Sequence, residues 1–263
     1  MARREINHAR AIVTGASSGI GRALCVQLVA AGASVVAVAR RQERLDQLAE
    51  EVRQAVSPGR IETLAGDVTD PVARRAALDR CREQFGGLDL LVNNAGVGAM
   101  GLFEEAEPER VRRVMEVNFF ALVELTRAAL PLLQEGRRPM IVNVSSILGR
   151  RGVPYSTEYA ASKFAVHGFS ESLRAELAPK GVDVLVVSPG TTETEFFDQL
   201  IEKKGQPNWP EHKAVSAEEV ARQTLRAIRR GQHEVVPYFY GKLLLGLNRL
   251  SPTLVDWLMT RYV

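Results

Sequence analysis

The stretch Ala11-Ile12-Val13-Thr14-Gly15-Ala16-Ser17-Ser18-Gly19-Ile20-Gly21 decides how this chain is read. A short apolar, β-branched run ends at Thr14, a glycine-rich turn follows, and a segment of good helix formers starts at once. Glycine lets a backbone turn tightly and approach a pyrophosphate, while a helix N-terminus offers unpaired N–H groups and a partial positive charge. Three glycines beside a strand are in isolation no more than a tight turn. Strand, turn and helix in this order are what dinucleotide binding requires, and they point to Gly15, Ser17, Ser18, Gly19, Ile20 and Gly21 as phosphate-side residues. The spacing is Gly-x-x-x-Gly-x-Gly rather than the commoner Gly-x-Gly-x-x-Gly.

Outward from this turn, β-branched runs alternate with segments of helical period: Ala11–Thr14 then Gly21–Ala31, Ser34–Ala39 then Glu43–Val56, Ile61–Ala65 then Pro71–Phe85. The pattern continues through Leu88–Asn93, a helix over Val111–Leu133, Met140–Ser145, a helix over Glu158–Leu177 and Val182–Val187. Such alternation means βαβ units, and near-continuous apolar strands mean a parallel sheet buried on both faces. The expected fold is α/β, a Rossmann-type doubly wound parallel sheet of about seven strands, one domain over residues 1–263, with ligands outside the carboxyl ends of the strands.

The 263 residues need no linker, and 25% charged with 46% apolar residues is ordinary for a globular core. A net charge of +3, with bases and acids interleaved, gives no sign of nucleic-acid binding. The polar Met1–Arg10 lacks the apolar core of a signal peptide and no run reaches the length of a membrane span, so a cytoplasmic protein is expected. Cys25 and Cys81 read as small buried side chains, not as a disulfide framework. His8, His167, His212 and His233 have no ligand spacing, so no metal site and no nucleophilic triad is expected.

The second strand ends Val38-Ala39-Arg40-Arg41, and no carboxylate follows until Glu43. An acid at this point would hold the ribose 2′-hydroxyl of NAD, whereas arginine suits a 2′-phosphate. Cations at a helix start also oppose its dipole, so a bland surface reading of the pair is disfavoured. Arg40 and Arg41 therefore predict NADP(H), with NAD(H) as the alternative.

The fifth strand runs into Ser145 and Ser146, and further on come Tyr159-Ala160-Ala161-Ser162-Lys163. Tyr159 and Lys163 are four apart in a helical segment and share one face. A phenol with a reference pKa near 10 exchanges protons poorly at pH 7, and a nearby ammonium stabilises its phenolate. Reaching about 7 requires roughly 4 kcal/mol, which calls for Lys163 together with the positive ring of an oxidised nicotinamide. Ser146 is placed to donate to a substrate oxygen that gains negative charge. Ser145, its neighbour, should point to the opposite side.

Taken with Asn93-Asn94-Ala95-Gly96 and Asn118, the set from about Ala9 to Thr194 resembles the short-chain dehydrogenase/reductase family. The resemblance implies Tyr159 as general acid/base, Ser146 as the substrate-orienting donor, Lys163 as tuner of Tyr159 and holder of the nicotinamide ribose, and Asn118 in a proton relay. It places Asp67 and Val68 beside the adenine, Asn94, Ala95 and Gly96 along the cofactor, and Pro189, Gly190, Thr192 and Thr194 at the nicotinamide end. Without it, Asp67 is a turn residue before Pro71 and Gly96 a loop glycine.

Ser188–Ser216, with Pro189, Gly190, Gly205, Pro207 and Pro210, reads as a substrate lid. Gly98–Leu102 and Ile147–Tyr155 should surround the substrate with it, Tyr155 lining the pocket. Phe196, Phe197 and Trp209 suit either an apolar substrate or packing of the lid. After a last strand at His233–Val236, Gly241–Leu250 and Leu254–Val263 read as two short amphipathic helices, a C-terminal extension over about 241–263. Packing on the domain or a subunit contact is favoured there over a pocket wall or a weak membrane-surface contact.

The function expected is interconversion of a ketone or aldehyde and an alcohol by an NADP(H)-dependent oxidoreductase, a homodimer or homotetramer acting on a small carbonyl substrate. Lipid-like, steroid-like and 3-oxoacyl substrates all fit. The rival is a non-catalytic dinucleotide-binding protein, which has no use for a tuned phenol.

Overall fold

A computed structural model describes residues 4–55, 57–205 and 213–263 of the chain. The strands are β1 (Arg10–Thr14), β2 (Ser34–Ala39), β3 (Arg60–Ala65), β4 (Leu90–Asn93), β5 (Met140–Val144), β6 (Asp183–Val187), β7 (Thr192–Glu193), β8 (Val215–Ser216) and β9 (Glu234–Val235). The helices are α1 (Gly19–Ala30), α2 (Gln42–Gln54), α3 (Pro71–Phe85), α4 (Pro108–Met115), α5 (Ala121–Gln134), α6 (Thr157–Leu177), α7 (Ala217–Arg230), α8 (Phe239–Leu250) and α9 (Pro252–Met259).

Seven strands form one sheet in the order β3-β2-β1-β4-β5-β6-β9, every neighbour parallel. The chain winds outward from β1 to β3, then crosses back to β4 and continues the other way, which leaves a crevice beyond the carboxyl ends of β1 and β4. Even inside continuous apolar runs the two-residue period sorts side chains to opposite faces. Ala11, Val13, Val35 and Ala37 pack with α1 and α7 on one face, while Ile12, Val36, Leu91 and Ile141 pack with α3, α5 and α6 on the other. Each fully buried valine, leucine or isoleucine among them contributes about 1.5–3 kcal/mol.

Local signals set the helix ends. Asp70 caps α3 by accepting from the Val72 N–H, Pro71 takes the first helical position, and Gly86 ends the helix at φ 78°. Ser216 accepts from the Glu219 N–H to start α7, and Gly231 ends it at φ 63°.

The predicted helix over Val111–Leu133 is interrupted. Residues Glu116–Phe120 form a wide π turn between α4 and α5. The buried Asn118 explains it: its Oδ1 accepts from the Val97 N–H at 2.8 Å, its Nδ2 donates to Val97 O and to Ser162 Oγ at 2.9 Å each, and the backbone bulges to aim it. Ser188–Ser216 is not wholly irregular. It contains the small β7–β8 pair and a 3-10 turn, Glu195–Asp198, while Pro207, Trp209, Pro210 and His212 lie outside the described residues, as does Val56. The C-terminal extension begins at Phe239, and no helix among the described residues is long and apolar enough to cross a membrane.

Candidate active site

Gly15 and Gly19 have φ of 68° and 53°, a region costly for side chains. A Cβ on Gly15 would come within 2.8 Å of Asn94 Nδ2, and one on Gly19 within 2.8 Å of the Thr194 methyl. A Cβ on Gly21 would run into Gly15 O, so this third glycine is required for packing of the turn on α1 and does not face the cavity. Thr14 Oγ1 accepts from the Asn94 and Ala95 N–H groups at 3.0 Å each and donates to Val92 O, while Asn94 Nδ2 donates to Thr14 O and Gly15 O. These bonds lock the ends of β1 and β4 together. Thr14 was not among the expected site residues, although its place at the end of the first strand could have signalled it.

A cavity of about 530 Å³ runs along these strand ends. Arg40, Arg41, Asp67 and Val68 line it after β2 and β3; Gly15, Ser17, Ser18, Gly19 and Ile20 after β1; Asn94, Ala95 and Gly96 after β4; Ser146 after β5 with Tyr159 and Lys163 of α6; and Pro189, Gly190, Thr192 and Thr194 after β6. Asn118 stands outside it, behind Val97. The glycine turn with the free N–H groups of α1, the arginines and the opposed asparagine segment fit an extended dinucleotide in chemistry and in order.

The Tyr159 ring keeps some surface, but its hydroxyl is enclosed, and burial pushes the phenol up to about 12 with the Ser146 hydroxyl pulling the other way. Ser146 Oγ accepts from the Leu148 N–H at 3.1 Å and reaches Pro189 O at 3.4 Å. Lys163 Nζ donates to Val144 O at 3.0 Å and stands 5.6 Å from the Tyr159 ring centre, and its own burial brings it down to about 8. The expected lowering of Tyr159 calls for the positive nicotinamide ring as well as Lys163; among the protein's own groups burial is the larger influence and favours the neutral phenol. Ser145 does turn away, donating to Lys163 O at 3.1 Å and fixing α6 behind the site.

At the arginine end, Arg41 donates to Ser17 Oγ from Nε and Nη2, at 3.3 and 3.1 Å. Its Nη1 meets Glu195 Oε2 at 2.9 Å, and Arg44 Nη2 meets Glu195 Oε1 at 3.2 Å. Arg40 is more exposed, 3.9 Å from Asp67. The absence of a carboxylate near Arg41 along the chain is thus corrected in space by a residue 154 positions away.

Phe196 lies 5.5 Å centre to centre from Tyr159 and joins Leu200, Gly98, Ala99, Met100 and Val153 around the substrate end. Tyr155 is not part of the lining. It adopts φ 63° and packs beside Gly205. The C-terminal helices do pack on the domain, Arg151 donating to Asn248 Oδ1 at 3.1 Å and to Asp256 Oδ1 at 2.7 Å, and Tyr240, Leu244, Met259 and Tyr262 also form a wall of the cavity, the less favoured alternative. A Cβ on Gly190 would run into the Tyr238 ring, showing how closely this wall is seated. Its outer side carries exposed Phe239, Leu243, Leu250 and Trp257.

The family model for short chain dehydrogenases matches residues 9–205. The chain is 34% identical over 242 residues to dehydrogenase/reductase SDR family member 7B of Bos taurus, covering 89% of this chain and 74% of that protein. It is 38% identical over 187 residues to a 3-ketodihydrosphingosine reductase of Bacteroides thetaiotaomicron, covering 71% and 65%. A short-chain dehydrogenase/reductase of Burkholderia phymatum solved with NAD has a TM-score of 0.86 at 25% identity, covering 95% of this chain and 96% of that one. One of Burkholderia cenocepacia solved with NADP has 0.77 at 29%, covering 89% and 97%. The chain belongs to the short-chain dehydrogenase/reductase family. It is an oxidoreductase of CH–OH and carbonyl groups, built on a fold whose solved neighbours hold NAD or NADP.

Proposed function

We propose that this oxidoreductase reduces an apolar, lipid-like ketone or aldehyde with NADPH, Tyr159 giving the proton. The observation that carries the reading is the enclosed, neutral Tyr159 hydroxyl beside Ser146 in a cavity walled by Phe196, Leu200, Leu244 and Met259. Burial keeps the Tyr159 hydroxyl protonated in the free site, and it would become an effective donor to a carbonyl oxygen once Lys163 and a nicotinamide turning positive stabilise its phenolate. The name of one relative, 3-ketodihydrosphingosine reductase, supports a long apolar substrate.

Gly15, Ser17, Ser18, Gly19 and Ile20 with the start of α1 would hold the pyrophosphate, Arg41 with Arg40 the 2′-phosphate, and Asp67 with Val68 the adenine side. Asn94, Ala95, Gly96, Lys163, Pro189, Gly190, Thr192 and Thr194 would hold the nicotinamide half. When bound, this cofactor supplies the hydride. Ser146 Oγ orients the substrate oxygen and donates to it as charge develops there. Tyr159 Oη passes its proton to that oxygen, and Lys163, still cationic at pH 7 with a pKa of about 8, stabilises the phenolate left behind. Asn118 fixes Val97 and, through Ser162, the same turn of α6.

The test is a panel of long-chain ketones and aldehydes with NADPH consumption as readout. Tyr159→Phe should lower kcat by about 10²–10⁴-fold. Full activity in that variant would reject the chemistry.

A further inference from the structure

We infer that Glu195 is a specificity-determining gate of the cofactor site, a carboxylate that holds the Arg41 and Arg44 guanidinium groups until a 2′-phosphate displaces it. The inference rests on the NADP(H) reading above and goes beyond it, because it assigns a competitor already built into the chain.

The geometry is that of an anion recognised by two arginines. Each oxygen of one carboxylate is taken by a different guanidinium, Oε2 by Arg41 at 2.9 Å and Oε1 by Arg44 at 3.2 Å. Arginine presents its fork to carboxylate and phosphate with the same donors, so a phosphate engaging Arg41 competes for N–H groups that Glu195 now uses. The two arginines, Arg41 foremost, hold the Glu195 carboxyl below its usual range, so it is fully charged at neutral pH. A charged carboxylate left beside an incoming phosphate would repel it.

Two further observations favour displacement over a shared site. Glu195 keeps 37% of its side-chain surface and begins the short 3-10 turn Glu195–Asp198, so it can rotate into solvent. Arg41 does not depend on Glu195 for its orientation, because Ser17 Oγ accepts from both its Nε and its Nη2. Removing the carboxylate therefore frees an ordered donor and leaves its direction intact. NAD(H), with only a 2′-hydroxyl there, carries no charge with which to displace the acid. Glu195 and Phe196 are consecutive, so the exchange at Arg41 is tied through one peptide unit to the ring that stands over Tyr159.

The experiment is calorimetric titration of the wild type, Glu195→Gln, Glu195→Ala and Arg41→Ala with NADP+, NAD+ and adenosine 2′,5′-bisphosphate, which reads binding without turnover. Both Glu195 variants should bind NADP+ and the bisphosphate about fivefold more tightly, about 1 kcal/mol at 1.4 kcal/mol per tenfold, with NAD+ affinity unchanged. Unchanged or weaker NADP+ binding in both variants overturns the gate. Loss of NAD+ binding alone would make Glu195 a ribose ligand and overturn it as well. If Arg41→Ala binds NADP+ as the wild type does, the cofactor reading itself fails, whatever Glu195 does.

Discussion

Arg110 of α4 and Glu158 of α6 meet at 2.7 Å with side chains only 1% and 2% exposed, one residue before Tyr159. The same guanidinium reaches Glu202 at 3.1 Å, so one buried cation joins the catalytic helix to the segment between β7 and β8. Breaking such a pair from one side leaves an uncompensated buried charge. Arg110→Ala should cost about 3–5 kcal/mol in urea unfolding, and Arg110→Met with Glu158→Leu should recover most of it. A loss below 1 kcal/mol in the single variant would show that the pair is not buried as described.

His167 lies one helical turn beyond Lys163 with Nε2 3.2 Å from Ser188 Oγ. Burial first, then Arg150, with lesser contributions from Arg174 and Lys163, brings it from 6.5 to about 4. The folded protein thus binds fewer protons there than the unfolded chain, and stability rises with pH. The contribution is complete above about 6.5 and is lost as the pH falls toward 4, about 3 kcal/mol in all. Urea midpoints for the wild type and His167→Gln between pH 4 and 7 check this: the wild-type curve should fall more steeply.

Asn118 satisfies both backbone groups of Val97 as well as Ser162 Oγ. Asn118→Ala strands these buried partners, at a cost of about 1–3 kcal/mol, and lets the wide turn relax. Unfolding curves and steady-state rates should both drop, with kcat affected more than the KM for NADPH. An unchanged kcat would remove Asn118 from the positioning of Val97 and α6.

Leu244 and Met259 line the cavity and come from α8 and α9, elements separate from Arg41 and the glycine turn. Leu244→Ala with Met259→Ala should raise KM for long apolar carbonyls about tenfold while NADP+ affinity holds, the scale of one or two lost apolar contacts. Equal changes for short and long substrates would place the substrate elsewhere.

What was legible in the sequence was local. The Gly15–Gly21 turn and the Tyr159–Lys163 spacing are each contained within one strand–helix junction or one helix turn, so period and spacing suffice to place them. Contacts between distant segments were not legible. Nothing near Arg41 announces Glu195, and nothing near Glu158 announces Arg110, because both pairings exist only once the sheet has set the loops side by side. The π turn at Asn118 broke a helical period that a straight reading extends, since its cause is a side-chain bond to Val97. The direction in which Tyr159 shifts depends on enclosure, which spacing does not report.

The wall made by α8 and α9 separates two things that enzymes often entangle. The family model ends at residue 205, whereas Tyr240, Leu244, Met259 and Tyr262 come after it. On the proposed reading, the portion matched by the family model carries the reaction and one side of the substrate end, and the last two helices supply the other side. Such a division makes the tail a replaceable wall: grafting α8 and α9 from a relative would reshape one side of the substrate end around an unaltered proton donor.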